Sequence, residues 1–142
     1  MKRLVCSAII VATMTACAGG TKGGAPGKMR FAVIPKSLDL PVFSYAKIGA
    51  EREAARRGNI EVIWRASENA DQLRQKEILE SFITQRVDGI AISCLNGDFL
   101  TETINHAVEA GIPVVTWDAD APKSKRLAFY GVDDRAAGRI IV

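Results

Sequence analysis

A tryptophan followed by an aspartate, Trp117-Asp118, ends an apolar run at residues 112–117 and opens the loop Trp117-Asp118-Ala119-Asp120-Ala121-Pro122. A carboxylate there can accept hydrogen bonds from vicinal hydroxyls, and an indole face can cover the apolar C–H face of a sugar ring. The same pair could instead cap a turn (Asp118) and pack inward (Trp117). An earlier loop, residues 35–43, carries an ammonium at Lys36, a hydroxyl at Ser37, a carboxylate at Asp39 and an aromatic ring at Phe43. A third, Ser93-Cys94-Leu95-Asn96-Gly97-Asp98, holds small polar groups, Asn96 among them. These either hydrogen-bond in a cleft or build a turn and cap the next helix.

Other chemistries find little support. Residues 35–43 contain no glycine, so their backbone cannot wrap a phosphate as a dinucleotide or P-loop site requires. A receiver-type phosphorylation domain needs acidic residues after its first strand and an aspartate ending its third, where this chain has Pro35-Lys36 and Ser93-Cys94. Cys94 has no histidine nearby in sequence, which argues against a nucleophile. The single histidine, His106, falls in a helical pattern as a surface residue, and no Cys/His cluster suits a metal. Asp118 with Asp120, or Asp133 with Asp134, could suggest a glycosidase, but catalysis needs two groups facing across one bond and nothing in either pair requires that. The expectation is a binding protein with no enzymatic step, no cofactor and no metal.

These loops need elements to position them. The chain has 142 residues, 48% hydrophobic and 25% charged, which suits one globular domain. Its formal charge of +3 falls to +1 once Lys2 and Arg3 are set aside, and no basic block is interleaved with aromatics, so no nucleic-acid partner is expected. Lys2 and Arg3 precede an apolar run at 4–14, whose eleven residues span roughly 16 Å as a helix against a bilayer core of roughly 30 Å. The run reads as a secretory leader. It closes on Met14-Thr15-Ala16-Cys17, which resembles a bacterial lipobox with Met where Leu is usual; the alternative is an ordinary signal with an accidental cysteine. Residues 18–28 hold five glycines and a proline and no large apolar side chain, which predicts a flexible tether. The expected plan is leader at 1–17, lipid attachment at Cys17, tether at 18–28, and an exported protein held on a bacterial membrane, facing the periplasm or exterior.

From residue 29 short strand-like runs alternate with amphipathic stretches. Strands are expected at 30–34, 60–64, 87–92, 112–117 and 127–130, and helices at 43–57, 71–86, 99–110 and 134–142. The first helix should bury Ala46, Ala50 and Ala54 and stop at Gly58. The second should bury Leu73, Leu79, Phe82 and Ile83. The third should bury Leu100, Ile104, Ala107 and Val108, with Asp98 as its N-cap and Gly111 as its stop. This alternation predicts an α/β fold, a doubly wound parallel five-stranded sheet of order 2-1-3-4-5 with helices on both faces. Ligands on such a sheet bind beyond the strand C-termini where the order reverses, at the loops after Ile34, Ile92 and Trp117.

In this order and spacing, Ile34-Pro35-Lys36-Ser37 with Pro41-x-Phe43, the run Gln85-Arg86-Val87-Asp88-Gly89-Ile90-Ala91-Ile92-Ser93, and Ala110-Gly111-Ile112-Pro113-Val114-Val115-Thr116 leading to Asp118 resemble the type I periplasmic sugar-binding proteins of ABC importers. Gly131-Val132-Asp133 before Ala136-Ala137-Gly138-Arg139 extends the likeness to the end of the chain. The resemblance implies a two-lobed fold roughly twice this length. Residues 29–132 would be the N-terminal ligand-binding lobe, with a hinge crossing near 131–133 and the start of the second lobe at 133–142. It implies that Phe43 stacks on a sugar and that Asp118 grips its hydroxyls, with Lys36, Ser37, Asp39, Trp117 and Asn96 around them. Val42 stands where relatives often have a second aromatic, Ala119 where Arg is frequent, and Leu40 where a polar residue is common. These departures leave ribose and a different sugar or related polyol equally open. The implied partners are that ligand, an ABC permease and the membrane beneath Cys17. A sugar sensor for chemotaxis or signalling would use the same lobe, whereas the core of a LacI-type regulator would begin with a helix-turn-helix.

Overall fold

The computed structural model describes residues 27–141. Within them the element order is β1 (Met29–Ile34), α1 (Val42–Arg57), β2 (Ile60–Trp64), α2 (Gln72–Thr84), β3 (Gly89–Ile92), α3 (Gly97–Glu109), β4 (Val114–Trp117), β5 (Ala128–Tyr130) and α4 (Asp134–Ile141). The expected leader, Cys17 and all but the end of the expected tether lie outside the described residues. The strands pair in parallel in the order β2-β1-β3-β4-β5, as the alternation of apolar runs and helices predicts.

Register divides the side chains between two faces. Ala32 lies opposite Ile90 and Ile90 opposite Val114, while Ile34, Ile92 and Thr116 form the next row. These are buried against Leu79, Phe82 and Ile83 of α2 and Leu100, Ile104 and Ala107 of α3 in one apolar cluster. Each fully buried Leu, Ile or Phe there contributes about 1.5–3 kcal/mol. Phe31, Val33, Ala91, Val115 and Trp117 occupy the opposite face by the same alternation. Helix α1 packs there beside β2, with the small residues Ala46, Ala50 and Ala54 half-buried along one line.

Caps follow local chemistry. Gly58 ends α1 at φ 76° and its N–H returns to the Ala54 carbonyl; Gly111, at φ 82°, follows α3. Asp71 is the N-cap of α2, accepting from the amides of Leu73 and Arg74 at 2.9 and 3.1 Å. Three expectations are corrected. Leu73 is 61% exposed, because the buried stripe of α2 runs Gln75, Leu79, Phe82, Ile83 and position 73 falls on the far side of the first turn. The N-cap of α3 is Asn96, whose extended backbone lets Oδ1 accept from the Phe99 amide at 3.0 Å. Asp98 instead sits in the first turn and pairs with Lys123 at 2.9 Å. Strands β3 and β4 are also shorter than their apolar runs, since Val87 and Ile112 are buried in the approaches to them.

One side chain closes the backbone accounting where β1 and β3 diverge. The Ser93 amide donates to the Ile34 carbonyl at 2.9 Å. Past that rung the chains separate toward α1 and α3. Gln75, 1% exposed, donates through Nε2 to the carbonyls of Pro35 (3.1 Å) and Ser93 (2.8 Å) and accepts at Oε1 from the Leu95 amide (2.9 Å). On the other side of the same loop, a Cβ on Gly97 would lie 2.3 Å from the Asp120 carbonyl oxygen, so α3 begins with backbone against backbone.

Two stability changes follow. Gln75→Leu keeps the volume but strands two carbonyls and an amide, and should lower unfolding stability by about 2–4 kcal/mol in urea titration. A loss under about 1 kcal/mol would show that water substitutes freely for the amide. Gly97→Ala must displace the 119–121 backbone and should cost about 1–3 kcal/mol in the same assay; an unchanged midpoint would show that the contact yields without strain.

Candidate functional site

The ends of β1, β3 and β4 are adjacent in the sheet, and each delivers one polar group to the same point. Lys36 follows β1, Ser93 follows β3, and Asp118 follows β4. The Ser93 hydroxyl donates to Asp118 Oδ2 at 2.7 Å, and the Lys36 ammonium lies 3.0 Å from the same oxygen. Ser93 is fully buried, while the Asp118 side chain remains 43% exposed. Oδ1 of Asp118 has no hydrogen-bond partner among the described residues, so one carboxylate oxygen is anchored and the other is free to accept. Partial burial opposes ionisation of Asp118, but the Ser93 hydrogen bond and the bond and charge of Lys36 outweigh it and hold the carboxyl below its ordinary 3.8.

The backbone at this carboxylate is unusual. Asp118 has φ 62°, and the Ala119 amide donates to the Trp117 carbonyl at 2.7 Å across it, which makes Asp118 the centre of a γ-turn in the left-handed region. The Asp118 amide donates to the Tyr130 carbonyl at 3.0 Å, and the Ala119 carbonyl accepts from the Cys94 amide at 3.1 Å, tying the turn to both neighbouring strand ends.

Beside this polar point lies an aromatic cluster. The Phe43 and Trp117 rings meet edge-on, 5.4 Å between centroids at 82°, and Trp64 tilts against Trp117 at 6.2 Å. Trp64 and Trp117 come from strands separated by β1 and β3, so the indoles lean toward one another over the face that carries Val33 and Ala91. Two polar atoms, Trp117 Nε1 and Ser37 Oγ, are buried here without a hydrogen-bond partner among the described residues. A cavity of about 160 Å³ is lined by Ser37, Leu40, Phe43, Lys47 and Trp64, and one of about 240 Å³ by Trp117, Asp118, Tyr130 and Val132. A further depression, about 390 Å³, lies elsewhere, between the residues after β2 and the outer side of α2. Its walls carry Arg65, Glu68, Arg74 and Glu77, surface charges of both signs without a buried polar group, so it lacks the convergent chemistry of the strand ends.

The structure thus brings Lys36 and Asp118 into contact and sets Ser37, Phe43 and Trp117 beside them. Asp39 lies apart on an exposed turn whose amide bonds to the Glu68 carbonyl at 3.1 Å. Asn96 is engaged as a helix cap, and its Nδ2 donates to Gln72 Oε1 at 3.3 Å. The sequence points to the loop that begins at Ser93 but singles out Asn96 from it, and it does not point to Trp64. For Ser93 the available signal was its position, the first residue after an apolar strand that neighbours both β1 and β4. Asp120, the second carboxylate of the same loop, is bound by Arg126, Thr116 and the Ala121 amide, and chiefly through Arg126 it is held down to about 2. Cys94 is pushed up to about 12, first by burial and then by the Asp120 charge, so its thiol is not a nucleophile at neutral pH.

With this geometry in view, similarities to known proteins can be set beside it. A family model described as periplasmic binding protein domain matches residues 31–142. The ribose import binding protein of Bacillus subtilis is 31% identical over 104 residues, 73% of this chain and 33% of that protein. Among solved structures, an arabinose-binding protein from Geobacillus stearothermophilus is 34% identical with a TM-score of 0.73, covering 80% of this chain and 39% of that one. A solute-binding protein of an ABC transporter from Burkholderia graminis, in complex with D-arabinose, is 33% identical with a TM-score of 0.75, covering 83% and 40%. The chain spans less than half the length of these relatives. With residues 31–142 inside the family match and 31% identity to the ribose import binding protein, the chain belongs to the periplasmic binding protein family, in the type I form of its sugar-binding relatives.

Proposed function

We propose that this chain supplies the ligand-binding α/β lobe of an extracytoplasmic solute-binding protein that captures a neutral sugar or polyol for an ABC-type importer, without an enzymatic step. The observation that carries the reading is the half-anchored carboxylate. Asp118 is fixed through Oδ2 by Ser93 and Lys36 and exposes Oδ1, so it can accept from a ligand hydroxyl without reorganising. Lys36 retains donor capacity for the oxygen of a neighbouring hydroxyl. Opposite charges 3.0 Å apart leave the point nearly neutral, which favours an uncharged ligand over an acid or an amine. The aromatic cluster of Phe43, Trp64 and Trp117 supplies apolar surface beside it for the C–H face of a ring.

The family relationship supports the same reading, since relatives of this chain carry names as binders of ribose and arabinose. Ser37 and Phe43, both buried beside the first strand end and lining the neighbouring cavity, are the further residues proposed to meet the ligand. Asp39, apart on its exposed turn, and Asn96, engaged as a helix cap, are not among the proposed contacts. Export through the leader, attachment at Cys17 and delivery to a permease complete the proposed role.

The test is titration of the purified chain with D-ribose, D-allose, D-arabinose and myo-inositol, with D-glucuronate as charged comparator, followed by the backbone amide signals of Ser93, Asp118 and Ala119. A neutral ligand should shift these signals saturably, and glucuronate should not. Asp118→Ala should weaken binding by about 1.5–3 kcal/mol, roughly 10- to 150-fold, as expected for losing a charged hydrogen-bond partner. Equal affinity in the variant would remove Asp118 from the site. A pH series gives an independent check. Because the folded carboxyl lies below 3.8, it stays ionised on acidification until that value is passed. Affinity should therefore be flat from about pH 8 to about pH 5 and fall only in stronger acid; a decline centred near neutrality would assign binding to another group.

A further inference from the structure

The left-handed turn at Asp118 costs free energy for any residue with a side chain, so something must hold it. The Ala119 amide to Trp117 carbonyl bond closes the turn itself, and the ladder bonds on either side fix the chain before and after it, but no ladder bond spans it. The Asp120 carboxylate does. Its Oδ1 accepts from the Thr116 hydroxyl at 2.6 Å and from the Ala121 amide at 2.7 Å. Thr116 and Asp120 stand two residues before and two after Asp118, so this bond closes a ring around the turn. Arg126, from the far end of the same loop, clamps both carboxylate oxygens, Nε to Oδ1 at 2.5 Å and Nη2 to Oδ2 at 2.6 Å. The Thr116 side chain is fully buried, and the Asp120 and Arg126 side chains are each 21% exposed, so water competes weakly for these bonds.

Resting on the reading of Asp118 as the ligand carboxylate, we infer that Asp120, Arg126 and Thr116 are positioning residues that hold Asp118 in its γ-turn and so aim its free oxygen at the ligand. They touch no ligand themselves. They fix the one backbone conformation in which the Asp118 carboxylate reaches Ser93 and Lys36 together.

A clamp that merely fastened the loop would stabilise the fold to the same extent whatever residue stood at 118. A clamp that holds the turn should matter less once 118 accepts a positive φ freely, as glycine does. The experiment is a double-mutant cycle in the full chain. Arg126→Lys keeps the charge and removes the fork, and its effect on thermal midpoint is measured in the parent and in the Asp118→Gly background. The expected loss is about 5 °C or more in the parent and less than half of that with Asp118→Gly. Thr116→Val, a single-hydroxyl change, should show the same coupling at smaller size and serves if Arg126→Lys does not fold. Equal losses in both backgrounds overturn the inference.

Affinity is the second readout, with D-ribose, D-allose and D-arabinose as probes. Arg126→Lys should weaken the best of these roughly tenfold in the parent and add little in the Asp118→Ala background. Unchanged affinity beside a coupled midpoint would leave a structural clamp and refute its role in aiming the carboxylate. Should the parent bind none of the probes, the reading of Asp118 as a sugar contact fails, whereas the midpoint cycle still decides whether the clamp holds the turn.

Discussion

The arrangement rests on the amide of Gln75. In a doubly wound sheet the chain leaves two adjacent strands in opposite directions at the switch point, and backbone groups just beyond the last rung lose their ladder partners. Here those groups are the carbonyls of Pro35 and Ser93 and the amide of Leu95, and a single buried side chain from α2 satisfies all three. Lys36 is the residue after Pro35, and the Ser93 hydroxyl is on the residue whose carbonyl Gln75 holds. The glutamine therefore sets the separation of the two groups that meet at Asp118 Oδ2. A switch point is a structural liability because its backbone is incompletely paired. It becomes a site because pairing it through one side chain leaves a rigid gap between two strand ends.

From that gap outward the two faces of the sheet take different parts. The face under α2 and α3 is a continuous aliphatic core that fixes the strands in register. The other face gives its space near the strand ends to Phe43, Trp64 and Trp117, brought together from α1, β2 and β4. Only small and medium side chains, Val33 and Ala91, lie between the two indoles along the sheet, which is why rings from non-adjacent strands can meet. The apolar surface beside the carboxylate thus comes from residues dispersed in sequence, each placed by an ordinary strand or helix position.

Much of this was legible in advance because it follows from period and punctuation. Apolar strands alternating with amphipathic stretches, together with stops at Gly58 and Gly111, are local signals, and the sheet order follows from handedness once the alternation is known. The loops after Ile34, Ile92 and Trp117 follow from that order, so Lys36 and Asp118 could be named. What could not be read depends on geometry between elements. Gln75 looks like a polar residue on a solvated helix face, and only the packing of α2 beneath the switch point buries it. Asn96 rather than Asp98 caps α3 because extended backbone at 96 decides it, and both residue types suit a cap equally. Leu73 fits the helical spacing of apolar residues in α2 and is exposed because the stripe is set by Gln75, a polar residue no hydrophobic count would include.

On the proposed reading of Asp118 as the ligand carboxylate, its positive φ sets binding chemistry against fold stability. A relaxed loop would be more stable in isolation, but its carboxylate would have to be ordered when ligand arrives, and that entropy would be subtracted from affinity. Here the ordering is done beforehand. Ser93 and Lys36 fix one oxygen, and the Asp120 network encloses the turn from behind. The two carboxylates of this short loop consequently divide the work by their surroundings. Asp120 is enclosed on both oxygens by an arginine fork, a hydroxyl and an amide and has little left to offer a ligand. Asp118, two residues earlier, is bound on one oxygen only and open on the other. Identity of side chain does not separate their roles; the number of satisfied lone pairs does, and that number is set by which strand end each carboxylate faces.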